Sequence, residues 1–553
     1  MDRSPAPLLL FCLGVAGCGA FTPEFEPRRD APADARCGAP VVSICSIQGN
    51  GQTSPRVGDD VSVEGVVTLV LGDAEESSGF FIQSEAADAA DGCSQGLFVA
   101  CSERLESPRV GQWVRVHGRI EEIDDVTTIT AVDLLSACGA TALEPVRIPT
   151  LALDNAEAFE SMWLRSPDTW TLLEAGRPLT GAYASTEGRL YAAGHELGAV
   201  SEERAAHAWT LLPRAPPGSA EVAATEALRS GARAGGASGV VQLGPGRRRL
   251  WLTTTLKWQS SVPTAPLRPN PGVLRVAAFN LENYFVDLRG PGARSAPALA
   301  RQRDKLIAAV VGLDADVLGL VELENDANLA LEHLVNGLNE RLALPQRYAF
   351  SSTLPPAGST LRTAILYRPA RAQALGEAWF EPSPRFRRSP AFQTLLLGTT
   401  LVTIGVVHFK SKLCGTEPEV TQPAEGCGAD TRRDEAQALV STIVNFAPRG
   451  PVLIMGDLNS DTLEAPLAVL RQSGLSDLLA GVPVEERYSY VFEGRASLLD
   501  QVWASPELRL RLANAGVWHI NADEARLGNS RAERDTDARG SSDHDPVFVD
   551  LAL

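Results

Sequence analysis

The sequence predicts a layered α/β domain in its C-terminal half and a small β-barrel or β-sandwich near its N-terminus. From Val273 onward, short apolar segments alternate with segments whose apolar residues recur every three or four positions. Strands that alternate with amphipathic helices are typical of layered α/β folds. Between Val61 and Val132, runs of alternating apolar and polar residues follow one another at intervals of about ten residues, a spacing typical of small all-β domains.

The two patterns can be resolved into individual elements. The predicted C-terminal helices span Ala300–Val311, Leu329–Leu342 and Asp430–Phe446. The predicted C-terminal strands span Leu274–Phe279, Val317–Val321, Thr363–Tyr367, Thr400–Val407, Val452–Met455, Leu499–Ala504 and Val547–Leu551. The predicted N-terminal strands span Val61–Thr68, Gly79–Gln83, Gly96–Val99, Trp113–Gly118 and Thr127–Val132. The C-terminal domain then holds about 280 residues, close to the upper size of a single hydrophobic core.

The chain has 553 residues and a formal net charge of −18. This length predicts two or three domains. Its 44% hydrophobic and 21% charged residues are typical of soluble globular proteins, not of disordered or membrane-embedded ones. This net charge argues against binding to nucleic acid through overall charge, because such binding depends on a basic surface. A phosphate-bearing substrate therefore needs a local basic site or a bound cation. Lys410 and Lys412 stand out in a chain whose basic residues are nearly all arginine.

The first 18 residues have the features of an export signal. Arg3 precedes the apolar run Leu8–Ala16, which is too short to span a bilayer. The run leads into Val15-Ala-Gly-Cys18, which resembles the bacterial lipobox, so that Cys18 would carry the lipid. Gly19 does not resemble the aspartate that retains lipoproteins in the inner membrane. We therefore expect an exported lipoprotein of the outer membrane or cell surface, with ordinary secretion as the alternative, and a proline-rich tether at residues 19–36.

The cysteines that follow the predicted signal are compatible with disulfide formation outside the cytoplasm. They are Cys37, Cys45, Cys93, Cys101, Cys138, Cys414 and Cys427. Because each closes a short loop, Cys414–Cys427 and Cys93–Cys101 are the pairs that we expect. The sequence leaves the partners of Cys37, Cys45 and Cys138 open. The odd total leaves at least one thiol free or paired elsewhere.

The chain divides into four segments after the tether. Residues 37–140 form the small β domain, 141–262 a β-rich region without an assigned role, 263–271 a proline-rich linker, and 272–553 the α/β domain. His195 and His207 in the β-rich region are isolated from other polar motifs. We therefore interpret them as surface residues.

Side chains suited to metal and phosphate chemistry stand next to the predicted C-terminal strands. They are Asn280, Glu322, His408, Asp457, Asn459, Asp500, Asp543 and His544. Strand ends in layered α/β folds meet in one crevice. Carboxylates and amides are ligands for a hard cation such as Mg²⁺, and histidine transfers protons near neutral pH. We therefore predict a single site at which these residues converge.

Six short motifs occur in order across the C-terminal half of the chain. They are Ala278-Phe-Asn-Leu-Glu-Asn283, Gly319-Leu-Val-Glu-Leu-Glu-Asn-Asp326, His408-Phe-Lys-Ser-Lys412, Gly456-Asp-Leu-Asn459, Ser497-Leu-Leu-Asp500 and Ser541-Ser-Asp-His-Asp-Pro546. In this order they resemble the deoxyribonuclease-I-like endonuclease/exonuclease/phosphatase superfamily, and within it the exported or membrane-attached bacterial nucleases. The resemblance implies a four-layer β-sandwich for the C-terminal domain.

The N-terminal β domain carries a second resemblance. Gly79-Phe-Phe-Ile-Gln83 and Val110-Gly-Gln-Trp-Val-Arg-Val-His-Gly118 resemble the OB-fold-like domain that precedes secreted bacterial nucleases. OB barrels often bind oligonucleotides. This domain lacks lysine and carries many acidic residues, so a spacer or docking role remains open beside oligonucleotide binding.

The resemblance implies a magnesium site with basic residues beside it. Glu322 would be the principal ligand of Mg²⁺, with Ca²⁺ or Mn²⁺ as alternatives. Asn280 and Asp543 would complete the ligand set. Lys410 and Lys412 would add positive charge for the substrate phosphate, because a phosphodiester is anionic and its attack by water must be neutralised.

The resemblance also implies the catalytic roles. His544, oriented by Asp500, would transfer protons, since a carboxylate fixes the tautomer of an imidazole and stabilises its cation. Asp457 would orient or deprotonate the attacking water. Asn459 would hold a phosphate oxygen, and His408 would contact the scissile phosphate.

Some positions depart from the family pattern or stay open. Related nucleases carry an acidic residue that braces the first histidine, but the matching stretch Gly358-Ser-Thr-Leu-Arg362 has none, which leaves Ser359 or water to brace His408. We interpret Asp545 as a bystander and His519 as a structural residue. The segment Arg385-Phe-Arg-Arg388 is either a contact for a nucleic-acid backbone or a solvated loop.

The sequence therefore predicts an exported metal-dependent phosphodiesterase that hydrolyses DNA, and RNA as a second substrate, by metal- and His/Asp-assisted attack of water. One alternative is a phosphoesterase of the same superfamily that acts on a phospholipid or a sugar phosphate, which the acidic charge favours. The other is a non-catalytic surface lipoprotein that binds ligand through its OB-like domain. The expected partners are the nucleic-acid substrate and the membrane; no protein partner is inferred.

Overall fold

The computed structural model describes residues 36–71, 78–85, 87, 92–101, 107–151, 156–175, 181–212, 228–414, 425–446, 450–525 and 537–553. The predicted signal at residues 1–18, with Cys18, lies outside the described residues, as does the tether apart from Arg36. Among the described residues, no helix is both long enough and apolar enough to cross a membrane.

The first β unit is a closed five-stranded barrel. Its elements are α1 (Ile44–Gln48), β1 (Asp60–Leu71), β2 (Gly79–Gln83), β3 (Gly96–Ala100), β4 (Gln112–Ile123) and β5 (Val126–Ala140). The strand order is β1-β2-β3-β5-β4, and β4 pairs with β1 to close the ring. Only β3 and β5 pair in parallel. Alternate residues such as Val61 and Val63 point inward and fill the barrel, so all five predicted strands are confirmed.

Three disulfides occur among the described residues. Two hold the start of the barrel domain, Cys37–Cys138 and Cys45–Cys93, and the predicted pair Cys414–Cys427 is also present. The predicted pair Cys93–Cys101 is wrong. The extended strand β3 lies between these two cysteines and separates them by about 16 Å or more at the usual rise per residue, well beyond the reach of a disulfide.

The region without an assigned role is a second barrel. Its elements are β6 (Val146–Arg147), a 3₁₀ turn (Ala156–Phe159), β7 (Trp163–Glu174), β8 (Ala182–Ser185), β9 (Leu190–Tyr191), α2 (Gly198–Ala205), β10 (Trp209–Leu212), β11 (Arg233–Gly244) and β12 (Arg247–Leu252). The strands run β7-β8-β10-β12-β11, and β11 pairs back to β7. Only β10 and β12 are parallel within this ring. The second barrel therefore repeats the connectivity of the first.

The outer face of β2 and β3 in the first barrel packs against the second barrel. Phe81 and Phe98 contact each other on this face, with ring centroids 4.8 Å apart. Trp163, Val240 and Trp251 of the second barrel cover them. The two barrels therefore share an apolar interface, and the Phe81–Phe98 face is not open to a ligand.

The C-terminal domain contains two mixed β-sheets. Its elements are β13 (Val273–Tyr284), α3 (Ala296–Leu313), β14 (Val317–Glu324), α4 (Leu329–Arg341), a 3₁₀ turn (Leu344–Gln346), β15 (Ala349–Phe350), β16 (Leu361–Tyr367), β17 (Ala372–Ala374), β18 (Trp379–Phe380), β19 (Ala391–Leu397), β20 (Thr400–His408), α5 (Ala429–Phe446), β21 (Val452–Asp457), α6 (Ala465–Gln472), β22 (Ser476–Asp477), a 3₁₀ turn (Val484–Glu486), β23 (Tyr490–Phe492), β24 (Arg495–Ser497), β25 (Asp500–Ala504), α7 (Pro506–Arg509), β26 (Leu512–Val517) and β27 (Val547–Ala552). All three predicted helices and all seven predicted strands are present.

The sheets stack face to face between two layers of helices. The first sheet has the order β15-β16-β14-β13-β27-β26, and the second β17-β19-β20-β21-β25-β22 with β18 beside β19. Apolar residues of both sheets, such as Val276, Val321, Ile404 and Met455, form the central core. Helices α3 and α4 pack on the outside of the first sheet, and α5 and α6 on the outside of the second. The domain thus has the α/β/β/α layering that the resemblance implied.

The second barrel is joined to the C-terminal domain through a shared sheet. Strands β23, β24 and β9 form this sheet, in which β24 and β9 run in parallel. His195 follows β9 and is 1% exposed, with its Nε2 3.0 Å from the carbonyl oxygen of Arg487. The prediction that His195 lies at the surface is therefore wrong, because the C-terminal domain covers it.

Candidate active site

Three adjacent strands of the second sheet bring acidic and imidazole side chains together. His408 on β20 pairs with Asp457 on β21, and Asp457 pairs with Asp500 on β25. Directly opposed residues on neighbouring strands are close enough for their side chains to interact. All three residues are buried. The strand register therefore builds half of the predicted site.

The first sheet supplies the other half. Asn280 on β13 donates a hydrogen bond from Nδ2 to Oδ2 of Asp457, with a length of 3.2 Å, and so links the two sheets. Glu322 on β14 has a φ of 63°, where the pairing of β14 with β16 is interrupted. This left-handed conformation is unusual for a residue other than glycine and is typical of functional sites. Oε2 of Glu322 accepts a hydrogen bond of 2.9 Å from the backbone N–H of Asn283.

His544 and Asp500 form a buried pair. Nδ1 of His544 lies 2.7 Å from Oδ2 of Asp500. Burial opposes the charged imidazole, but the negative charges of Asp500, Asp543 and Asp457 outweigh it and hold the pKa of His544 well above its usual range. The ring of Tyr490 packs beside the imidazole, with centroids 4.6 Å apart. His544 is therefore held as a cation in one orientation.

His408 is the opposite kind of histidine. Burial, together with the positive charges of Arg388 and His544, lowers its pKa well below the usual range. Nε2 faces Glu322 Oε1 at 3.8 Å and Asp457 Oδ2 at 3.7 Å. Nδ1 has no hydrogen-bond partner within the described residues. Ser359, one of the two braces that the sequence left open, instead accepts a hydrogen bond from the N–H of Leu361.

Asp457 lies at the centre of the site. Burial is the main cause that raises its pKa to about 7, and the charges of Asp500 and Glu322 add to the rise, while His544 and the N–H of Asn459 oppose it. Oδ1 of Asp457 accepts this N–H at 2.8 Å, and Nδ2 of Asn459 donates to the carbonyl oxygen of Phe409 at 3.2 Å. A carboxyl group with a pKa near 7 is suited to general base catalysis at neutral pH.

Two overlapping groups of side chains could hold a divalent cation. They are Glu322, His408 and Asp457, and Asp457, Asp500 and His544, with donor atoms within 4.8 Å of one another in each group. In the first group the separations of 3.7 and 3.8 Å from His408 are too long for hydrogen bonds, and they suit ligands arranged around one cation. The donor set of carboxylates and one imidazole fits a divalent metal.

The predicted ligand set overlaps this geometry in part. Glu322 belongs both to the ligand set that the resemblance implies and to the first of the two groups. Burial raises the pKa of Glu322, and the negative charge of Asp543 raises it further. The carboxylate of Asp543 therefore interacts electrostatically with that of Glu322. Asn280 Oδ1 accepts the N–H of Glu282 at 3.0 Å, so this amide orients the neighbouring backbone and Asp457. The ligand roles of Asn280, Glu322 and Asp543 stay predictions.

The predicted phosphate-binding lysines lie beside the site and are engaged within the protein. The ammonium group of Lys412 pairs with the buried carboxylate of Glu464. Nζ of Lys410 donates to the carbonyl oxygens of Ser411 and Leu413, at 2.8 and 3.0 Å. Their roles toward a substrate stay predictions.

Arg388 is a candidate site residue that the sequence left undecided. Its Nη1 donates a 2.8 Å hydrogen bond to the carbonyl oxygen of Phe409, next to His408. Burial lowers its pKa, and the charges of Glu322 and Asp457 oppose this shift, so the guanidinium faces the acidic centre. The sequence feature that could have identified Arg388 as a site residue is its position three residues before β19, a strand that pairs with β20.

Asp545 is not the bystander that the sequence suggested. It is fully buried, and its Oδ1 accepts the N–H groups of Asn521 and Ala522 at 2.7 and 3.0 Å. Its Oδ2 lies 2.9 Å from Nδ1 of His519. Asp545 therefore fixes the loop that carries His544.

Comparison with protein families gives a match in the C-terminal domain. Residues 277–544 match the model of the Endonuclease/Exonuclease/phosphatase family. No curated protein matches the chain.

Three of the solved structures that are similar to the chain are compared with it by sequence identity, by the share of each chain that is covered and by TM-score. A humanized TDP2 from D. rerio is 16% identical, covering 51% of this chain and 100% of its own, with a TM-score of 0.35. An endonuclease/exonuclease/phosphatase family protein from Bacteroides thetaiotaomicron is 17% identical, covering 50% and 94%, with a TM-score of 0.36. A mannosyl-6-phosphatase from Bacteroides thetaiotaomicron is 17% identical, covering 51% and 100%, with a TM-score of 0.34.

Proposed function

We propose that this chain, a hydrolase acting on phosphoester bonds whose residues 277–544 match the model of the Endonuclease/Exonuclease/phosphatase family, is an exported, metal-dependent phosphodiesterase that cleaves DNA. RNA is the second nucleic acid that the same chemistry would accept. The observation that carries the proposal is the placement of Asp457 between neutral His408 and the His544–Asp500 pair, opposite Glu322. This arrangement offers a base, an acid and metal ligands at one centre.

The protons in this reaction are handled by two residues of opposite character. Asp457 accepts a proton from the attacking water as the new bond from water oxygen to phosphorus forms. The bond from phosphorus to the leaving oxygen breaks on the far side, and the imidazolium of His544 gives its proton to that oxygen. Asp500 keeps the imidazole in the tautomer and orientation that this transfer requires.

Charge on the phosphate is balanced by local groups rather than by the whole protein. A divalent cation held by Glu322 with His408, Asp457 or Asp543 would neutralise the non-bridging oxygens when bound. Arg388 adds a positive charge next to His408. These local positive charges would compensate at the site for the net charge of −18, which by itself repels nucleic acid.

A cleavage assay on supercoiled plasmid DNA tests the proposal. The protein without residues 1–18 is incubated with Mg²⁺, Mn²⁺ or Ca²⁺, and with EDTA. We expect nicked and then linear DNA in the presence of metal and no cleavage with EDTA. Glu322→Gln and His544→Ala should lose at least about a hundredfold in rate, whereas Glu332→Gln, an exposed glutamate on α4, should retain full activity. Wild-type silence with every metal would refute the nuclease proposal.

A phosphoesterase acting on phospholipids or sugar phosphates is the second candidate. The observation that favours it is the acidic composition, since a small or lipid-bound phosphate needs no basic surface. A panel of plasmid DNA, RNA, phosphatidylinositol phosphates and hexose phosphates separates the two. Turnover confined to the small or lipid substrates would replace the nuclease proposal while leaving the same catalytic residues in place.

We place the protein outside the cytoplasm as a lipoprotein of the outer membrane or cell surface. The lipobox-like Val15-Ala-Gly-Cys18 and the three disulfides support this placement, because disulfides persist in oxidising compartments. Labelling with a radioactive fatty acid should mark the wild-type protein and fail with Cys18→Ser. Equal labelling of the two would refute lipidation at this cysteine.

We also assign an OB-type connectivity and a docking role to the first barrel. The support is its closed strand order with one parallel pair and the coverage of its Phe81–Phe98 face by the second barrel. A substrate strand cannot reach that face. Phe98→Ala should therefore leave DNA affinity unchanged while lowering the melting temperature; a selective loss of DNA affinity would refute the docking role.

A further inference from the structure

The second barrel reaches the active-site side of the C-terminal domain through backbone pairing. Leu190 and Tyr191 of β9 pair with Arg495 and Ala496 of β24. The carbonyl oxygen of Gly194 accepts the N–H of Leu463 at 2.9 Å. Such backbone contacts place the loop around β9 at a defined position relative to the catalytic domain.

Arg189, directly before β9, extends from this loop into the C-terminal domain. Its Nη2 lies 2.9 Å from Oδ1 of Asp523, and both side chains are largely buried. Its guanidinium lies over the ring of Tyr488, 4.4 Å from the centroid. The hydroxyl of Tyr488 donates to Oδ2 of Asp523 at 2.9 Å. One arginine from the barrel therefore holds both the carboxylate and the tyrosine that share a hydrogen bond.

Further contacts connect Tyr488 with the loop that carries His544. Tyr488 stacks on His519, with ring centroids 4.0 Å apart and an interplanar angle of 11°. His519 pairs with Asp545, and the N–H of Asp545 donates to the carbonyl oxygen of Ser489 at 2.8 Å. Asp545 is the residue after His544. A chain of contacts thus runs from the barrel to the loop that carries the proton donor.

The other half of the catalytic pair depends on the same segment. The hydroxyl oxygen of Ser489 accepts the N–H of Asp500 at 3.0 Å. The residue next to Tyr488 therefore holds Asp500, while Tyr488 itself, through His519 and Asp545, holds His544. A shift of Tyr488 and Ser489 would change the Asp500–His544 separation, which is 2.7 Å.

We propose that Arg189 is a positioning residue for the His544–Asp500 pair, and that the second barrel is in this way a working part of the catalytic site. The proposal rests on the role of His544 as proton donor in the proposed function. Catalytic groups must be held within about 0.5 Å of their productive geometry, and a displacement of about 1 Å can cost about a hundredfold in rate. Without Arg189, the buried carboxylate of Asp523 would lose its short ion pair and keep the hydroxyl of Tyr488 and the more distant Arg229, at 3.9 Å, and Tyr488 would lose the guanidinium that covers its ring.

The first test compares two breaks in the same interface. Arg189→Ala removes the contact that leads to His544. Glu202→Gln weakens the ion pair between α2 and Arg495, which is 2.8 Å long and partly exposed to solvent, so it serves as the matched control. With bis(p-nitrophenyl) phosphate, Mg²⁺ and the full mature chain, Arg189→Ala should lower kcat about 10- to 100-fold with KM within about threefold. Arg189→Lys should recover part of kcat, and Glu202→Gln should stay within about twofold.

A double substitution separates positioning from general destabilisation. If Arg189 acts through His544, adding Arg189→Ala to His544→Ala should cost almost nothing further, because residues that act as one unit are not additive. An equal loss in both backgrounds, or a kcat of Arg189→Ala equal to wild type with active wild-type enzyme, would overturn the proposal.

A spectroscopic readout keeps this inference distinct from the proposed function. The chain has seven histidines, so the imidazole proton hydrogen-bonded to Asp500 can be assigned in the NMR spectrum by its absence in His544→Ala. This resonance should shift or broaden in Arg189→Ala and stay in place in Glu202→Gln. If the wild type hydrolyses no phosphoester but the resonance responds in this way, the proposed function fails and the positioning role stands. An unchanged resonance in folded Arg189→Ala refutes the positioning role.

Discussion

Replacing Asp500 by asparagine removes one negative charge from the catalytic pair and changes almost nothing in size. In the wild type, Oδ2 of Asp500 lies 2.7 Å from Nδ1 of His544, and Asp500 is fully buried. A hydrogen bond between charged groups in such a place contributes about 1.5 to 3 kcal/mol. This bond fixes the orientation of the imidazole, and a catalytic group displaced by about 1 Å can lose about a hundredfold in rate, so kcat should fall about 10- to 100-fold.

Folding should survive this substitution. The charge of Asp500 helps to raise the pKa of Asp457, so its removal relieves repulsion between two buried carboxylates. We therefore expect a melting temperature within about 3 °C of wild type. The loss of rate can then be assigned to the histidine.

The assay is steady-state hydrolysis of bis(p-nitrophenyl) phosphate with saturating Mg²⁺ at pH 7. Asp133→Asn is the matched control, because Asp133 also lies 2.7 Å from Nδ1 of a histidine, His117, but on the exposed surface of the first barrel. This control should keep wild-type activity. If Asp500→Asn kept more than half of the wild-type kcat, the pair would have no part in the rate-limiting proton transfer and the reasoning would fail.

Three further variants test other parts of the structure. Arg388→Ala should raise KM for the same substrate about tenfold through the lost charge on phosphate, with exposed Arg385→Ala unchanged; equal KM values would place Arg388 outside the substrate site. Burial raises the pKa of Asp461 to about 7, so the folded state keeps a proton that the unfolded state releases above about pH 4, and stability falls as pH rises from 4 to 7. Asp461→Asn should therefore gain up to about 4 kcal/mol on wild type over this range in urea unfolding, and parallel curves would contradict this. Exchanging Cys414 and Cys427 for serine should lower the free energy of unfolding by about 3 kcal/mol, because the disulfide closes a loop with a separation of 13 residues; no loss would show that the loop is held by other contacts.

The sequence was sufficient to predict the sheet residues of the site. His408, Asp457 and Asp500 each stand at the end or the start of an apolar run, and strands of a layered fold carry such residues to one edge. The C-terminal helices and strands could also be predicted from the sequence, since the periodicity of apolar residues in a buried segment indicates whether it is a helix or a strand.

Contacts between distant segments were not visible in the sequence. His195 meets Arg487, and Arg189 meets Asp523, across about 300 residues of chain, and no local pattern encodes such pairs. The second barrel was not predicted from the sequence for another reason. Strands β8 and β10 have only four residues each, too few for a period-2 pattern to stand out.

Asp545 and Glu322 show two further limits. The burial of Asp545 depends on Asn521 and His519, which fold back from before β27, so a polar turn and a buried anchor look alike in the sequence. The positive φ of Glu322 follows from interrupted pairing between strands, and its residue type gives no hint of it.

The interface between the two barrels has a practical consequence for anyone who shortens this protein. A chain that begins at residue 141 would leave Trp163, Val240 and Trp251 bare, because Phe81 and Phe98 would be gone. Exposed aromatic and aliphatic surface of this kind promotes self-association and precipitation. The soluble minimal enzyme should therefore keep both barrels, or carry polar replacements at Trp163 and Trp251.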